Sequence, residues 1–299
     1  MMRARSTWRL LRRRDIQLSL FLAACCVLVM ASAAPGQEQS KDRVLALGGS
    51  VTEIIYALGE EDRLIARDAT STYPPEAEAL PDVGYMRSLS PEGVLSVGPS
   101  LIIAEEGAGP PEAIDVLHSA EVAFVTVPDS YSADGISEKI RTVGEALDVE
   151  DKANALADQV EGALSDAQIA AVERAGESRK RVLFILSTQG GRIMASGTGT
   201  AADGIIQMAG GTNAITEFTG YKPLTDEAVA AAAPDLILMM DRTGDHGAPD
   251  DELFALPALR TTPAAQTQSV VRMNGLYLLG FGPRTAQAVT DLSTALYGS

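Results

Sequence analysis

Short apolar runs closed by glycine or proline set the rhythm of the first half of the chain. Arg43-Val44-Leu45-Ala46-Leu47 runs into Gly48-Gly49 and predicts a buried strand. Ser50-Val51-Thr52-Glu53 has the spacing of a capping box, and Ile54, Ile55 and Leu58 give the following helix an apolar face that Gly59 ends. Leu64-Ile65-Ala66 predicts a second strand, and Ser71-Thr72-Tyr73-Pro74-Pro75 a loop. Beyond a Gly84-Tyr85-Met86-Arg87 loop, Ser90-Pro91-Glu92 starts a helix. Leu101–Ala104 then predicts a strand, Pro111–Ser119 a helix and Val122–Val127 another strand. Regular alternation of this kind implies an α/β lobe with a mainly parallel sheet.

From Ala133 to Ala175 the period changes from strand to helix. Ile136, Ile140, Val143 and Leu147 fall at helical spacing, as do Ala153, Leu156, Val160 and Leu164, then Ile169 and Val172. Asp148–Asp151 breaks the run in two. The second helix, Glu150 to Ala175, would span about 39 Å at 1.5 Å per residue, long enough to serve as a stiff bar between lobes.

The chain then restarts. Arg181-Val182-Leu183-Phe184-Ile185-Leu186 repeats the first apolar run, and Thr200-Ala201-Ala202-Asp203 opens a helix that Gly210-Gly211 ends. Gly220-Tyr221 echoes Gly84-Tyr85. Glu92 stands seven residues before Pro99 and the strand Leu101-Ile102; Glu227 stands seven before Pro234 and Leu236-Ile237. Two copies of one plan fit a single duplication, not a solenoid. A cleft between two such lobes is a favoured ligand site. The expected organisation is a leader over residues 1–33, an N-terminal lobe over 42–131, a helical connector over 132–177 and a C-terminal lobe over 178–299.

Charge changes the picture in one respect. The 299 residues carry a formal net charge of −16, which argues against nucleic acid as a partner. The positive charge is concentrated at the start, where Arg3, Arg5, Arg9, Arg12, Arg13 and Arg14 precede the apolar stretch Ile16–Met30 and the small-x-small site Ala31-Ser32-Ala33. That order reads as a cleavable secretory signal peptide, too short to span a membrane. A rival reading is the lipoprotein box Leu22-Ala23-Ala24-Cys25, which would leave the apolar Val27–Met30 on the mature protein. Cys25 and Cys26 are the only cysteines, so an exported product cut after Ala33 has neither disulfide nor thiolate.

GGSVTEIIYALG, STYPPEAEALPDVGYMRSLSPEGVLSVGPSLIIAEEGAGPP and ASGTGTAADGIIQMAGGTNAI resemble the haem-binding periplasmic proteins of ABC importers, a class related to cobalamin and siderophore binders, across essentially all of residues 42–299. The resemblance implies two Rossmann-like α/β lobes joined by a long α-helix, with the ligand cleft between them. It implies haem as the transported ligand, Tyr85 of VGYMR as axial ligand to its iron, Arg87 beside that ligand, and Arg242 of LMMDRTG reaching the haem from the C-terminal lobe. Glu92 and Glu227 match the positions where the cobalamin members dock their permease. The implied setting is the periplasm. The implied partners are an inner-membrane permease with its ATPase and an outer-membrane haem receptor system upstream, the protein itself being a monomer. Some haem members carry a histidine in the turn after the first C-lobe strand; Ser187-Thr188-Gln189-Gly190-Gly191 has none.

The residue chemistry agrees. Phenolate is a hard donor suited to ferric iron, and a nearby guanidinium favours the ionised form. Arginine suits a bidentate contact to a propionate. Tyr221 reads as a cleft-facing counterpart of Tyr85, against packing beside Pro223, and His246 is a distal candidate for the open iron face. The plain alternatives are a loop aromatic for Tyr85, a partner of Asp241 or Asp245 for Arg242, and carboxylates favoured by a helix start for Glu92 and Glu227. His118 reads as structural. No G-x-S-x-G, H-E-x-x-H or cysteine–histidine pair is present, so no enzyme is expected. Competing functions are binding of a ferric siderophore or a cobalamin, and, in another class, an exported haem-processing enzyme.

Overall fold

The computed structural model describes residues 43–241 and 249–298. In the N-terminal half, β1 (Val44–Leu47), β2 (Leu64–Arg67), β3 (Leu101–Glu105) and β4 (Ala123–Val127) form a parallel sheet in the order β2-β1-β3-β4. Its helices are α1 (Gly49–Ala57), α2 (Pro91–Ser96) and α3 (Pro111–Ser119). Next come α4 (Ala133–Ala146) and α5 (Glu150–Ala175), separated where Asp148 takes a φ of 55°. The second half contains β5 (Arg181–Ser187), β6 (Ile193–Ser196), α6 (Ala201–Met208), β7 (Thr212–Asn213), β8 (Tyr221–Leu224), α7 (Asp226–Ala232) and β9 (Leu236–Asp241). It closes with α8 (Asp250–Ala255), α9 (Pro263–Thr267), β10 (Val270–Asn274), α10 (Gly275–Leu279) and α11 (Thr285–Tyr297).

The second sheet runs β10-β9-β5-β6-β8, with β7 also on β5. Here the duplication is incomplete. β10, β9, β5 and β7 are parallel, but β6 is antiparallel to both β5 and β8. The Gly-Tyr segment that is a loop in the first half therefore becomes an edge strand in the second.

Strands buried on both faces explain the unbroken apolar runs. Val44 and Ala46 point into one core, Leu45 and Leu47 into another. Val182 and Phe184 join the first core, while Leu183 and Ile185 face a third. The shared core runs through α1, α4, α5, α6 and α11, so both sheets rest on common helices. Each fully buried Val, Leu or Ile there is worth about 1.5–3 kcal/mol.

The α5 stripe departs from expectation. Its buried positions are Ala153, Ala157, Val160, Leu164, Ala167, Ala171 and Ala175, whereas Ile169 and Val172 are about half exposed. The alanines allow close approach of neighbouring helices. At the crossing with α4, a Cβ on Gly144 would lie 2.1 Å from the Ala153 Cβ. The start of α1 also differs. Gly48 is its N-cap and no side chain caps it, so Ser50 and Glu53 are free for other work. At α6 the expected cap is present: the Thr200 hydroxyl accepts from the Asp203 amide at 3.0 Å, and Asp203 accepts from the Gly199 amide at 3.0 Å.

Candidate functional site

A cleft of about 410 Å³ opens between the halves. One wall carries Ser50 from α1, Tyr85, Met86 and Arg87 from the loop before α2, and Glu105 from the end of β3. The other carries Met240 from β9, Asn274, Gly275 and the Leu276–Gly280 turn around α10.

The loop is a pinned perch. Gly84 takes a φ of 100°, its amide donates to Asp82 Oδ1 at 2.8 Å, and its carbonyl accepts from Ala69 at 2.9 Å. The Met86 carbonyl accepts from Gly109 at 2.9 Å, and Leu89 donates to the Gly109 carbonyl at 2.8 Å. Met86 and Leu89 are buried pegs, which leaves Tyr85 and Arg87 outward, Tyr85 being 49% exposed. The alternation of apolar and polar residues in Tyr-Met-Arg-Ser-Leu thus sets which side chains reach the cleft.

Arg87 approaches Gly107; a Cβ there would meet Nη1 at 3.4 Å. Among the described residues its guanidinium makes no hydrogen bond or ion pair. Its charge acts on two phenols, Tyr131 and Tyr221. Burial pushes Tyr131 up to about 12, aided by the Asp129 carboxylate. Burial also raises Tyr221, against the Thr200 hydroxyl and the Ala202 amide that bond its oxygen. Both phenols therefore stay protonated at neutral pH. Tyr221 lies outside the residues that line the cleft. Its ring packs edge-on to Phe184, with centroids 6.3 Å apart, so its neighbour is Phe184 and its hydroxyl serves the start of α6.

The floor holds a charge cluster that sequence reading missed. Lys139 of α4 is fully buried. Its ammonium lies 2.8 Å from Asp129 Oδ1, 3.2 Å from Glu105 Oε1, 3.2 Å from Ser50 Oγ and 3.2 Å from the Gly280 carbonyl. The Ser50 hydroxyl donates to Glu105 Oε2 at 2.8 Å. Burial raises the Glu105 carboxyl, with Lys139 opposing and Asp129 reinforcing the rise. A lysine at an apolar-face position of an amphipathic helix, beside Ile136 and Ile140, was the available signal.

Glu92 and Glu227 occupy the same place in two helices. Each is the second residue of its helix, after N-caps Ser90 and Thr225 whose hydroxyls accept from Gly93 and Ala228. Both carboxylates are exposed. His118 packs on Phe124, with ring centroids 4.5 Å apart. Arg242 and His246 lie outside the described residues. Among the described residues no cluster of three His, Cys, Asp or Glu side chains could hold a bare metal ion, and no helix is long and apolar enough to cross a membrane.

The site suits a ligand that combines apolar surface with an anionic group. It offers an exposed phenol on a fixed loop, a guanidinium without a counter-ion among the described residues, and a facing wall of Met240, Leu276 and Leu279.

Comparison with known proteins agrees with this geometry. A periplasmic haem-binding protein, BhuT, solved in complex with two haems, is 40% identical with a TM-score of 0.82, over 86% of this chain and 98% of that one. An ABC transporter substrate-binding lipoprotein of Bacillus subtilis, YvrC, is 28% identical over 85% of this chain and 80% of its own. The vitamin B12-binding protein of Vibrio cholerae is 25% identical over 93% of this chain and 98% of its own. The family described as periplasmic binding protein matches residues 44–275, and the chain belongs to that family.

Proposed function

We propose that this protein binds haem in the inter-lobe cleft and delivers it to an inner-membrane ABC importer. The observation that carries the reading is Tyr85, an exposed phenol held outward by buried Met86 and Leu89 at the cleft wall. In this reading the Tyr85 oxygen is the axial ligand of the haem iron, a role tyrosine fills in other haem proteins. Arg87 supplies positive charge beside it for an anionic edge of the ligand. The apolar wall of Met240, Leu276 and Leu279 covers porphyrin surface and excludes water. Arg242 would add a propionate contact. Likeness to the haem protein BhuT at 40% identity supports haem over other chelates.

Export through a signal peptide puts the protein in the periplasm, as a monomer, downstream of an outer-membrane haem receptor. Glu92 and Glu227 then dock basic sockets on the two halves of the permease. Their matched position in both lobes supports this, since a helix dipole alone explains one glutamate but not the pairing. The residue ranges 42–131, 132–177 and 178–299 are its lobe, connector and lobe. The cleft binds and releases haem unchanged, without catalysis.

Titration of the purified protein with haemin tests the reading. A saturable Soret shift at one equivalent or more is expected, with intact haem recovered on extraction. No shift, or degraded porphyrin, would overturn it. The B12-binding relative gives a second reading, and cyanocobalamin in the same titration should produce no change.

A further inference from the structure

The segment after β10 is tied to the first half of the chain at several points within ten residues. Leu276 packs on the start of α1: a Cβ on Gly49 would lie 2.5 Å from Leu276 Cδ1. The Gly280 carbonyl accepts from Lys139 at 3.2 Å. Phe281 packs on Tyr131 at 5.3 Å between centroids. Arg284 donates through its amide to Glu53 Oε1 at 3.1 Å and through Nη2 to Oε2 at 2.8 Å. The same guanidinium stacks 3.4 Å from the centroid of Tyr73 and 5.1 Å from that of Tyr277. Glu53 is 5% exposed and Lys139 is fully buried, so both ties are shielded from solvent.

These ties lie at the cleft floor, and Ser50, Glu105, Leu276 and Gly280 line the cleft directly above them. The long helix α5 lies elsewhere, packed on α4 and α11. The two sheets also share an apolar core around α5, but apolar packing is non-directional and defines the spacing of the cleft walls less sharply than ion pairs and hydrogen bonds do. We infer that Glu53, Lys139 and Arg284 act as a staple that holds the Gly280–Arg284 corner to α1 and α4 and so fixes the width of the cleft, with or without ligand. The three are positioning residues and need not touch the ligand. The inference does not depend on which ligand the cleft takes.

The absence of cysteine after residue 26 makes a direct test practical. Spin labels at Ser96→Cys and Ala230→Cys report the separation of the two halves, both positions being exposed on matched helices. Pulsed dipolar spectroscopy of the unliganded wild-type background should give one narrow distance distribution, unchanged by haemin. Glu53→Gln should broaden it about twofold, and Glu53→Gln with Lys139→Met should broaden it further, as expected when cross-lobe contacts are lost. Leu117→Ala, in the separate core behind the first sheet, should lower the melting temperature and leave the width unchanged. A narrow distribution in folded Glu53→Gln would overturn the inference and assign the spacing to α5 and the shared core. So would a shift of the wild-type distance on adding haemin. Should the double variant fail to fold, Glu53→Gln alone decides the matter. Failure of haemin to bind would sink the functional reading above while leaving the unliganded measurements to judge the staple.

Discussion

The two walls of the cleft are built from similar secondary structure yet carry different chemistry. Among the described residues, the ionisable groups of the cleft lie on the first wall: Tyr85, Arg87 and Glu105, with Lys139 and Asp129 behind them. The second wall offers a thioether, two leucines, two glycines and one amide. The matched tyrosines show the same split. Tyr85 stands outward on a pinned loop; Tyr221, on an edge strand antiparallel to β6, leans on Phe184 and engages the start of α6. An antiparallel β6 is what separates them, since it turns a loop position into a strand position. The difference teaches that, among the described residues, the first wall gathers the charged and phenolic groups while the second supplies an apolar surface.

Breaking the charged wall should have the largest effect. Lys139→Met leaves Glu105 and Asp129 buried without their cation, a loss of about 3–5 kcal/mol. For a chain of this size the melting temperature should fall by about 10 °C. A fall of under 2 °C would mean the cluster contributes little. Arg87→Ala should weaken haemin binding by about tenfold and leave the melting temperature unchanged, since among the described residues Arg87 has no ion-pair partner. A drop in stability without a change in affinity would move Arg87 out of the site.

Glu105→Gln sharpens the comparison through pH. Burial raises the native pKa of Glu105 above its unfolded value, so folding favours the protonated form. That contribution is fully present below the unfolded carboxyl pKa of about 4.3 and is lost as pH rises through the native pKa. Relative to Glu105→Gln, the wild type should therefore lose stability between those two values, by about 1.4 kcal/mol per pH unit, and run parallel above the native pKa. Melting curves from pH 4 upward check the sign; a gap that opens in the opposite direction would refute it. The smallest effect belongs to the second wall. Tyr221→Phe should change haemin affinity by less than about twofold, because its oxygen is already engaged by Thr200 and Ala202.

Strand and helix positions in the first half were legible because doubly buried strands read as continuous apolar runs between glycines, whereas their order in the sheet was not. The limits of α5 were legible too, because Asp148 and the loss of proline mark them. What was hidden has physical causes. An alanine face carries little hydrophobic signal, so Ile169 and Val172 looked like the buried stripe while Ala167 and Ala171 were. Gly48-Gly49-Ser50 looked like a turn and cap; close packing on Leu276 and hydrogen bonding to Glu105 and Lys139 require partners more than 50 residues away. The perch of Tyr85 was visible as a Gly-led loop, but the direction of its side chain depends on Met86 and Leu89 finding the core. The staple of Glu53 and Arg284 joins residues 231 apart in sequence, beyond any local pattern.

The central claim is that Tyr85 holds the iron from the charged wall, and one pair of variants tests it most directly. Visible spectra of the haemin complex should be recorded for wild type, Tyr85→Phe and Tyr221→Phe. Loss of the tyrosinate-to-iron charge-transfer band and an affinity drop of more than about 100-fold are expected in Tyr85→Phe alone, the ligand itself outweighing the 10–100-fold typical of residues that support one. A Tyr85→Phe spectrum and affinity that match wild type, or the same losses in Tyr221→Phe, would contradict it.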